Sequence, residues 1–259
     1  MTITGDDLLA RWLRRYRDVS VPGLRLVCFP HAGGAAGFFR TWAARLPYGV
    51  ELYSVQYPGR QDRIQDDFAP DMDALAGPVA AALRPLCDRP LALFGHSMGA
   101  AVAHEVAMRL EEGGSGPLAG LCVSGRPAPD RARRTQVHLG GDEALLADLR
   151  KLGGTDEEVL TDPDLRELVL PALRADYHLI ETYETRPAPP VETPVHVFVG
   201  DADPEVDGDE AAAWSRHTSG AFTLRTFPGD HFYLLPGEAD VVEEVVRACG
   251  PVDPWPSTP

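Results

Sequence analysis

The sequence has few cysteines and no long apolar run, and both absences narrow the classes of protein it can belong to. The four cysteines, at positions 28, 87, 122 and 249, form no CxxC pair, and three of them lie within apolar runs. This pattern predicts buried free thiols, which fit a reducing cytoplasm. No apolar stretch approaches the length of a transmembrane helix, and the N-terminal segment lacks the apolar core of a signal peptide.

Basic residues are also in the minority. The chain has 24 Lys and Arg against 39 Asp and Glu, a formal net charge of −15. Such a charge argues against nucleic acid or an anionic membrane surface as the partner. No spacing such as HExxH occurs, so the sequence predicts no metal site. With 259 residues, of which 44% are hydrophobic, the chain is long enough to bury one sizeable core.

The stretch Leu91–Ala100, LALFGHSMGA, combines an apolar strand, a Gly-x-Ser-x-Gly motif and the start of an Ala-rich helix. Between a strand and a helix, this motif predicts the nucleophile elbow of an α/β-hydrolase, with Ser97 as the nucleophile. Side chains at positions 95 and 99 would collide with the neighbouring strand and helix, so we expect glycine at both. The Met98 N–H, at the positive N-terminus of the helix, is a candidate oxyanion donor.

Strands and helices alternate on both sides of this elbow, which predicts a mostly parallel, doubly wound α/β sheet. The strand Leu24–Phe29 leads into the small-residue loop Pro30–Ala35, where this fold places its second oxyanion donor, assigned here to the Ala32 N–H. His31 is expected to close this loop by hydrogen bonds. Apolar residues at helical spacing predict an amphipathic helix within residues 1–20. Further strands are predicted at Val50–Tyr57, Leu118–Ser124, Pro194–Val199 and Phe222–Phe227.

From position 126 to position 186 the pattern is helical throughout. It has capping signals at 155–158 and at Asp162-Pro163, and Pro171 is expected to begin a further helix. We interpret residues 126–186 as a helical lid inserted into a core formed by residues 1–125 and 187–259. The alternative is a second independent domain, but about sixty residues would have a marginal core alone. The Pro-rich tail 251–259 is expected to be disordered.

The acid and the base should follow the nucleophile in the order Ser, acid, His. Of the eight histidines, only His217 and His231 lie beyond the acidic loop, and His231 is favoured because it directly follows a strand in a glycine-containing loop. It would take the Ser97 proton and return it to the leaving group. Asp203 is favoured as the acid that orients the imidazole, with Asp201 of the same loop as the alternative.

With these residues identified, the chain resembles the stand-alone type II thioesterases of polyketide and nonribosomal peptide assembly lines, which have the α/β-hydrolase fold. The resemblance extends from Leu24 to Cys249. By it, Ser97, Asp203 and His231 form the catalytic triad, and Met98 and Ala32 supply the oxyanion N–H groups. Asp230 departs from the small residue that the family more often has before its catalytic histidine. The motifs that carry the resemblance are FPHAGG (29–34), YPGR (57–60), GHSMGA (95–100), SGRPAP (124–129), LGG (152–154), LPALRADYHLIETY (170–183), GDADP (200–204) and GDHFYL (229–234).

The resemblance implies an editing enzyme that hydrolyses short or aberrant acyl groups from the phosphopantetheine arm of carrier proteins. The arm belongs to the substrate, so no cofactor is expected. We expect a cytoplasmic monomer, and the absence of a fused carrier or synthase domain argues against an in-chain terminal thioesterase. The alternatives are a generic serine carboxylesterase, a thioesterase that releases a finished medium-chain product, and a non-catalytic binding protein that retains the fold.

Carrier proteins are usually acidic, and so is this chain, so docking requires a local basic patch. Four arginines cluster at the start of the predicted lid, with only Asp130 opposing them nearby. We interpret this cluster as a contact for the carrier protein, and a solvated charge run is the alternative. The four are Arg126, Arg131, Arg133 and Arg134.

Overall fold

A sheet of seven strands forms the centre of the protein in a computed structural model that describes residues 5–133, 135–154 and 161–250. The strands are β1 (Leu13–Arg17), β2 (Leu24–Phe29), β3 (Val50–Val55), β4 (Leu91–His96), β5 (Gly120–Ser124), β6 (Val195–Gly200) and β7 (Phe222–Phe227). Their order across the sheet is β1-β3-β2-β4-β5-β6-β7. Only β1 runs antiparallel to its neighbour, so the predicted mostly parallel sheet is confirmed.

Helices cover both faces of this sheet. The α-helices are α1 (Gly5–Trp12), α2 (Met72–Leu83), α3 (Met98–Glu112), α4 (Asp142–Leu152), α5 (Pro163–Thr182), α6 (Gly208–Ala212) and α7 (Glu238–Cys249). The 3-10 helices are Ala36–Ala44, Gln61–Arg63, Arg84–Asp88, Pro129–Arg131, Val137–Leu139 and Ala213–His217. Within the described ranges, none of the helices combines the length and the apolar character that crossing a membrane requires.

Alternate residues of each strand pack on opposite faces of the sheet, which gives the fold two apolar layers. In β4, Leu93 packs in the layer that includes α2 and α3. Its neighbours Ala92 and Phe94 pack in the layer that includes the 3-10 helix Ala36–Ala44 and α7. Both faces of β4 are therefore buried, which explains why its first four residues, Leu91–Phe94, are all apolar. The predicted limits of β2, Leu24–Phe29, are confirmed.

The prediction of one helix within residues 1–20 is wrong beyond Trp12. From Leu13 the chain continues as β1, in which Leu13 pairs with Val55 of β3 and is only 4% exposed. The Trp12 carbonyl accepts a hydrogen bond of 2.8 Å from Gln56 N–H. The edge of β3 offers unpaired backbone groups that this segment satisfies, and that tertiary opportunity outweighs the helical spacing of the apolar residues.

The chain between β5 and β6 contains α4 and α5, which pack together through a small apolar cluster of their own. Ala32, in the loop after β2, packs against this cluster. The prediction of helix throughout this segment is too broad, because residues 132–133, 135–136 and 183–186 are not helical. The division of the chain into a core and a lid of residues 126–186 stays a prediction. The cluster consists of Leu145, Leu146, Leu149, Leu170, Leu173 and Tyr177.

Asp162 begins α5 as predicted. Its carboxylate accepts hydrogen bonds from the backbone N–H groups of Asp164 (2.8 Å) and Leu165 (3.1 Å). Pro171 does not begin a further helix but lies inside α5. The helix loses one backbone hydrogen bond there, and the buried residues on both sides of the proline hold it together. The predicted capping box at 155–158 and the tail 251–259 lie outside the described residues.

The four cysteines are all free, as predicted, and three of them are buried. Cys122 and Cys249 lie in the same apolar layer, with their Sγ atoms 3.4 Å apart. Burial raises the pKa of the Cys28 thiol well above its ordinary value. Buried, protonated thiols are poor nucleophiles, so Cys28 behaves as a small apolar side chain.

Candidate active site

The predicted site residues come together at one edge of the sheet. Ala32 follows β2, Ser97 follows β4, Asp203 follows β6 and His231 follows β7, each within a few residues of the strand's end. The four strands are parallel, so their carboxyl ends share an edge. Ala32, Ser97 and His231 line one cavity of about 120 Å³ at this edge.

Ser97 lies in the sharp turn between β4 and α3. Its backbone has φ +54° and ψ −119°, a conformation that residues other than glycine rarely adopt. The turn is held by a hydrogen bond of 2.8 Å from the Ser97 N–H to the Ser124 carbonyl of β5. Ser97 is half-buried between fully buried neighbours, so the strained turn leaves this side chain accessible from the cavity.

The two glycines of the motif are required by close backbone contacts. A Cβ at Gly95 would lie 2.2 Å from the Gly99 carbonyl oxygen, and a Cβ at Gly99 would lie 2.1 Å from the Phe29 carbonyl oxygen. Both distances are far below any contact that a real Cβ makes. The expected collisions with the neighbouring strand and helix are therefore confirmed.

His231 and Asp203 form a buried pair. The Nδ1 atom of His231 lies 3.0 Å and 2.9 Å from the two carboxylate oxygens of Asp203, and the two side chains are 2% and 0% exposed. Asp201, the alternative acid, instead accepts a hydrogen bond of 2.9 Å from Gly229 N–H. The alternative base His217 lies against Asp130, with Nε2 2.9 Å from the carboxylate. The structure therefore brings Asp203 to His231.

The second ring nitrogen of His231, Nε2, is buried and makes no hydrogen bond to any described residue. It is thus free to exchange a proton with a group in the cavity, while Nδ1 is occupied by Asp203. Asp230, the preceding residue, accepts a hydrogen bond of 2.9 Å from Phe232 N–H and so stabilises the turn that carries His231.

Ala32 and Met98, the two predicted oxyanion donors, both line this cavity. Neither N–H donates a hydrogen bond to a residue in the described ranges. Met98 is the first residue of α3, where the N–H groups of a helix have no intrahelical partner and the dipole favours negative charge. The two N–H groups are therefore free to donate to an oxyanion, and this role stays a prediction.

His31 closes the loop after β2 through its backbone, because its carbonyl accepts a hydrogen bond of 2.9 Å from Gly34 N–H. Its imidazole packs against the rings of Phe38 and Phe232, at centroid distances of 4.6 Å and 4.9 Å. Burial, followed by the nearby charges of His231 and Arg60, lowers the pKa of His31 to about 3. The ring is therefore neutral at physiological pH.

A buried chain of hydrogen-bonded side chains next to His231 was not predicted from the sequence. Nδ1 of His96 lies 2.9 Å from Ser124 Oγ, which lies 2.6 Å from the Tyr233 hydroxyl. The His96 ring is 4.9 Å from the His231 ring. Burial, and then the charges of His231 and His31, lowers the pKa of His96 well below its ordinary value. In the sequence, these residues are visible only as the polar ends of two apolar strands, His96 in β4 and Ser124 in β5.

Three of the four arginines of the predicted docking cluster lie within the described residues, and their environments differ. Arg126 is half-buried and borders both the Ser97 cavity and an adjoining cavity of about 1010 Å³. Burial, which the charges of Tyr183 and Glu205 only partly offset, lowers the pKa of Arg126 to about 10. Arg133 borders the same two cavities. The docking role of the cluster stays a prediction.

Arg133 is exposed and forms two hydrogen bonds of 2.9 Å with Glu210, and Arg131 is exposed. Arg134 lies outside the described residues. Because Glu210 neutralises Arg133, Arg131 is, among the described members of the cluster, the one whose exposed charge is best placed to act on an approaching partner.

Comparisons with known proteins identify the family. A family model described as the thioesterase domain matches residues 24–252. A probable cadicidin biosynthesis thioesterase of Streptomyces griseus is 44% identical over 96% of this chain and 68% of its own length. Thioesterase PikA5 of Streptomyces venezuelae is 48% identical over 86% of this chain and 80% of its own length.

Solved structures agree with this match. The type II thioesterase BorB from the borrelidin biosynthetic cluster superimposes with a TM-score of 0.85 at 46% identity, covering 92% of this chain and 97% of its own. The RedJ thioesterase from the prodiginine pathway of Streptomyces coelicolor gives 0.84 at 38% identity, covering 89% of this chain and 87% of its own. The chain therefore belongs to the thioesterase family, with the α/β-hydrolase fold, and these similar proteins are biosynthetic thioesterases.

Proposed function

We propose that this chain is an editing thioesterase that hydrolyses acyl thioesters from the phosphopantetheine arm of carrier proteins in polyketide or nonribosomal peptide synthesis. The observation that carries the proposal is the buried His231–Asp203 pair with the half-buried Ser97, at a cavity lined by Ala32 and Met98, whose backbone N–H groups make no hydrogen bond to a described residue. Biosynthetic type II thioesterases at up to 48% identity support the choice of substrate class.

The reaction proceeds through an acyl-enzyme. Ser97 Oγ attacks the thioester carbonyl carbon while His231 Nε2 takes its proton. The N–H groups of Met98 and Ala32 stabilise the tetrahedral oxyanion. The C–S bond breaks, and His231 returns the proton to the departing sulfur. Water then attacks the acyl-enzyme with His231 again as the base, which releases the carboxylic acid and restores Ser97.

Asp203 keeps the His231 ring in the orientation and tautomer that this sequence of proton transfers needs. With Nδ1–H donated to the carboxylate, Nε2 is left unprotonated and able to act as the base. Asp203 also stabilises the imidazolium that forms after each proton transfer. The protein contributes all of these groups itself, and the phosphopantetheine arm arrives as part of the substrate, so the proposal needs no cofactor.

The two cavities suggest how the substrate is held. The small cavity at Ser97 offers room for a short acyl group, which fits an editing role. The larger cavity shares Arg126 with it and offers room for the long arm. We further propose that Arg126, Arg131, Arg133 and Arg134 contribute to docking of the acidic carrier protein. The enzyme would act as a monomer in the cytoplasm, where a reducing environment keeps its four thiols free.

The test is hydrolysis of one acyl group presented in two forms, on a carrier protein and on a small thiol mimic of the arm, with Ser97→Ala as the blank. Much faster cleavage of the carrier-bound acyl group, dependent on Ser97, is the expected result. Equal rates on the two thioesters, or a preference for an oxyester, would indicate a generic serine carboxylesterase. Rates that rise with chain length up to a medium-chain acyl group would indicate release of a finished product.

A further inference from the structure

A buried ion pair connects α5 to the loop that carries Ala32. Asp176 of α5 is 5% exposed, and its Oδ2 atom accepts a hydrogen bond of 2.7 Å from Gly33 N–H. The same carboxylate accepts two hydrogen bonds from the Arg60 guanidinium, of 2.5 Å and 2.8 Å. Asp176 thus bridges a helix of the predicted lid and the loop after β2.

Arg60 extends this connection to the next residue of the loop. Its guanidinium also donates to the Gly34 carbonyl (3.2 Å), and its Nε donates to the Pro58 carbonyl (3.2 Å). Arg60 is 7% exposed and lies against the Tyr57 ring. Tyr57 in turn donates a hydrogen bond of 3.1 Å to the Pro30 carbonyl, so the loop is held at its start as well.

These contacts fix the peptide units on both sides of Ala32. The unit that contains the Ala32 N–H also contains the His31 carbonyl, which is held by Gly34 N–H at 2.9 Å. The following unit contains the Gly33 N–H, which donates a hydrogen bond to the Asp176 carboxylate. Because each peptide unit is planar, holding these two groups determines the direction of the Ala32 N–H. The first restraint lies within the loop, and the second comes from α5.

The loop needs an external restraint because its own residues supply little stiffness. Gly33 has φ +76°, and the adjacent Gly34 also has no side chain. The Leu173 side chain of α5 also lies close to Gly33, because a Cβ added to Gly33 would be only 3.0 Å from Leu173 Cδ1. A buried ion pair is a weak source of net stability, because desolvation of both charges opposes their attraction. Stability alone therefore gives little reason to bury Arg60 and Asp176 at this position.

We propose that Asp176 is a positioning residue for the oxyanion hole: the carboxylate on α5 orients the loop so that the Ala32 N–H points at the developing oxyanion. The inference rests on the proposed function, since it assumes that Ser97 is the nucleophile and Ala32 a donor. It adds that the oxyanion hole is complete only when α5 lies against the loop. Arg60 acts with Asp176, by holding the carboxylate and the Gly34 carbonyl together.

The variants separate positioning from folding. In Arg60→Met/Asp176→Leu, the buried charges are replaced by apolar groups of similar size, so the protein is expected to fold while Gly33 N–H loses its acceptor. Asp176→Asn keeps an oxygen that can accept from Gly33 N–H. The matched control is Arg174→Met, which removes hydrogen bonds from α5 to the His138 and Gly140 carbonyls and to Asp142 but does not touch the loop.

Four quantities are measured: the melting temperature, kcat and KM on the carrier-bound acyl group, and the rate at which a fluorophosphonate labels Ser97. In the labelling reaction Ser97 Oγ bonds to phosphorus, fluoride leaves, and the serine proton is taken up through His231, so the adduct places its oxygen in the oxyanion hole. Loss of one oxyanion donor costs about 10²–10³ in kcat, so a misdirected donor should cost about 10- to 100-fold.

The proposal expects the double variant to lose about 10- to 100-fold in kcat and in labelling rate, with KM within about threefold of the parent. Asp176→Asn should lose less than the double variant, and Arg174→Met should stay within about threefold of the parent. A folded double variant with parental kcat and labelling rate would overturn the proposal. So would a change confined to KM, or an equal loss in Arg174→Met. If the parent protein is not labelled at Ser97, with Ser97→Ala as the blank, the proposed function itself fails.

Discussion

Buried histidines should make the stability of this protein fall as the pH falls from 7 to 5. His104, on α3, is 3% exposed, and its ring lies 5.1 Å from the Trp214 ring and 6.0 Å from the His217 ring. Burial, followed by the charges of His217 and Arg186, lowers the pKa of His104 to about 3. Folding therefore keeps this ring neutral at a pH where the unfolded chain would protonate it.

The direction and the magnitude of this pH effect follow from the pKa of the histidine in the folded and in the unfolded state. An unfolded histidine has a pKa of about 6.5, so between pH 6.5 and pH 3 the unfolded state binds a proton that the folded state does not. Because the pKa of His104 is lower in the folded state, the free energy of unfolding is unaffected by this group above pH 6.5 and decreases progressively as the pH falls below 6.5. From pH 7 to pH 5 the free energy of unfolding should fall by about 2 kcal/mol for such a histidine. His31, with a pKa also lowered to about 3, should contribute a similar amount.

Urea unfolding at pH 7 and pH 5 measures this effect, in a range that lies above the ordinary pKa values of carboxyl groups. His104→Phe keeps an aromatic ring against Trp214 but cannot bind a proton. Its free energy of unfolding should fall by about 2 kcal/mol less than that of the parent protein between the two pH values. His178→Gln, at an exposed position on α5, serves as the control and should keep the parental drop. Equal drops in the parent and in His104→Phe would refute the reasoning.

The other predictions concern the elbow, the acid and docking. Gly99→Ala places a Cβ 2.1 Å from the Phe29 carbonyl oxygen, so it should lower the free energy of unfolding by about 1–3 kcal/mol and slow fluorophosphonate labelling, as denaturation and labelling would report. Asp203→Asn should lower kcat by about 10⁴ through the wrong imidazole tautomer, whereas Asp201→Asn should change it little. Arg131→Glu should raise KM for the carrier-bound acyl group and leave the small thioester unaffected, as steady-state rates on both would show.

The elements predicted well are those whose sequence is dictated by local constraints. β2 (LRLVCF) and β4 (LALFGH) are mostly apolar because both of their faces are buried, so their sequences alone identify them. The elbow is equally local, because Gly95 and Gly99 are required by backbone contacts within a few residues of Ser97 or with the adjacent strand. In these places the pattern of residue types and the tertiary packing agree.

The elements predicted poorly depend on partners far away in the chain. β1 forms because the edge of β3, some forty residues later, offers unpaired backbone groups, and nothing within β1 itself indicates this. The local sequence also cannot distinguish Asp201 from Asp203 as the acid, since both follow β6 in one loop. It is decided by which carboxylate reaches His231, a contact over 28 residues.

The same distinction explains why the connection between Asp176 and the oxyanion loop was not predicted. Asp176 lies 143 residues from Gly33 and 116 from Arg60, so the three meet only in the folded chain. The proposed catalytic groups can be identified from short motifs, whereas Asp176, which is proposed to orient the Ala32 N–H, comes from a different segment. The effect of a substitution in α5 should therefore depend on what the side chain contacts: a residue that contacts the loop should change kcat, and one that contacts only α4 and its neighbours should leave kcat close to that of the parent.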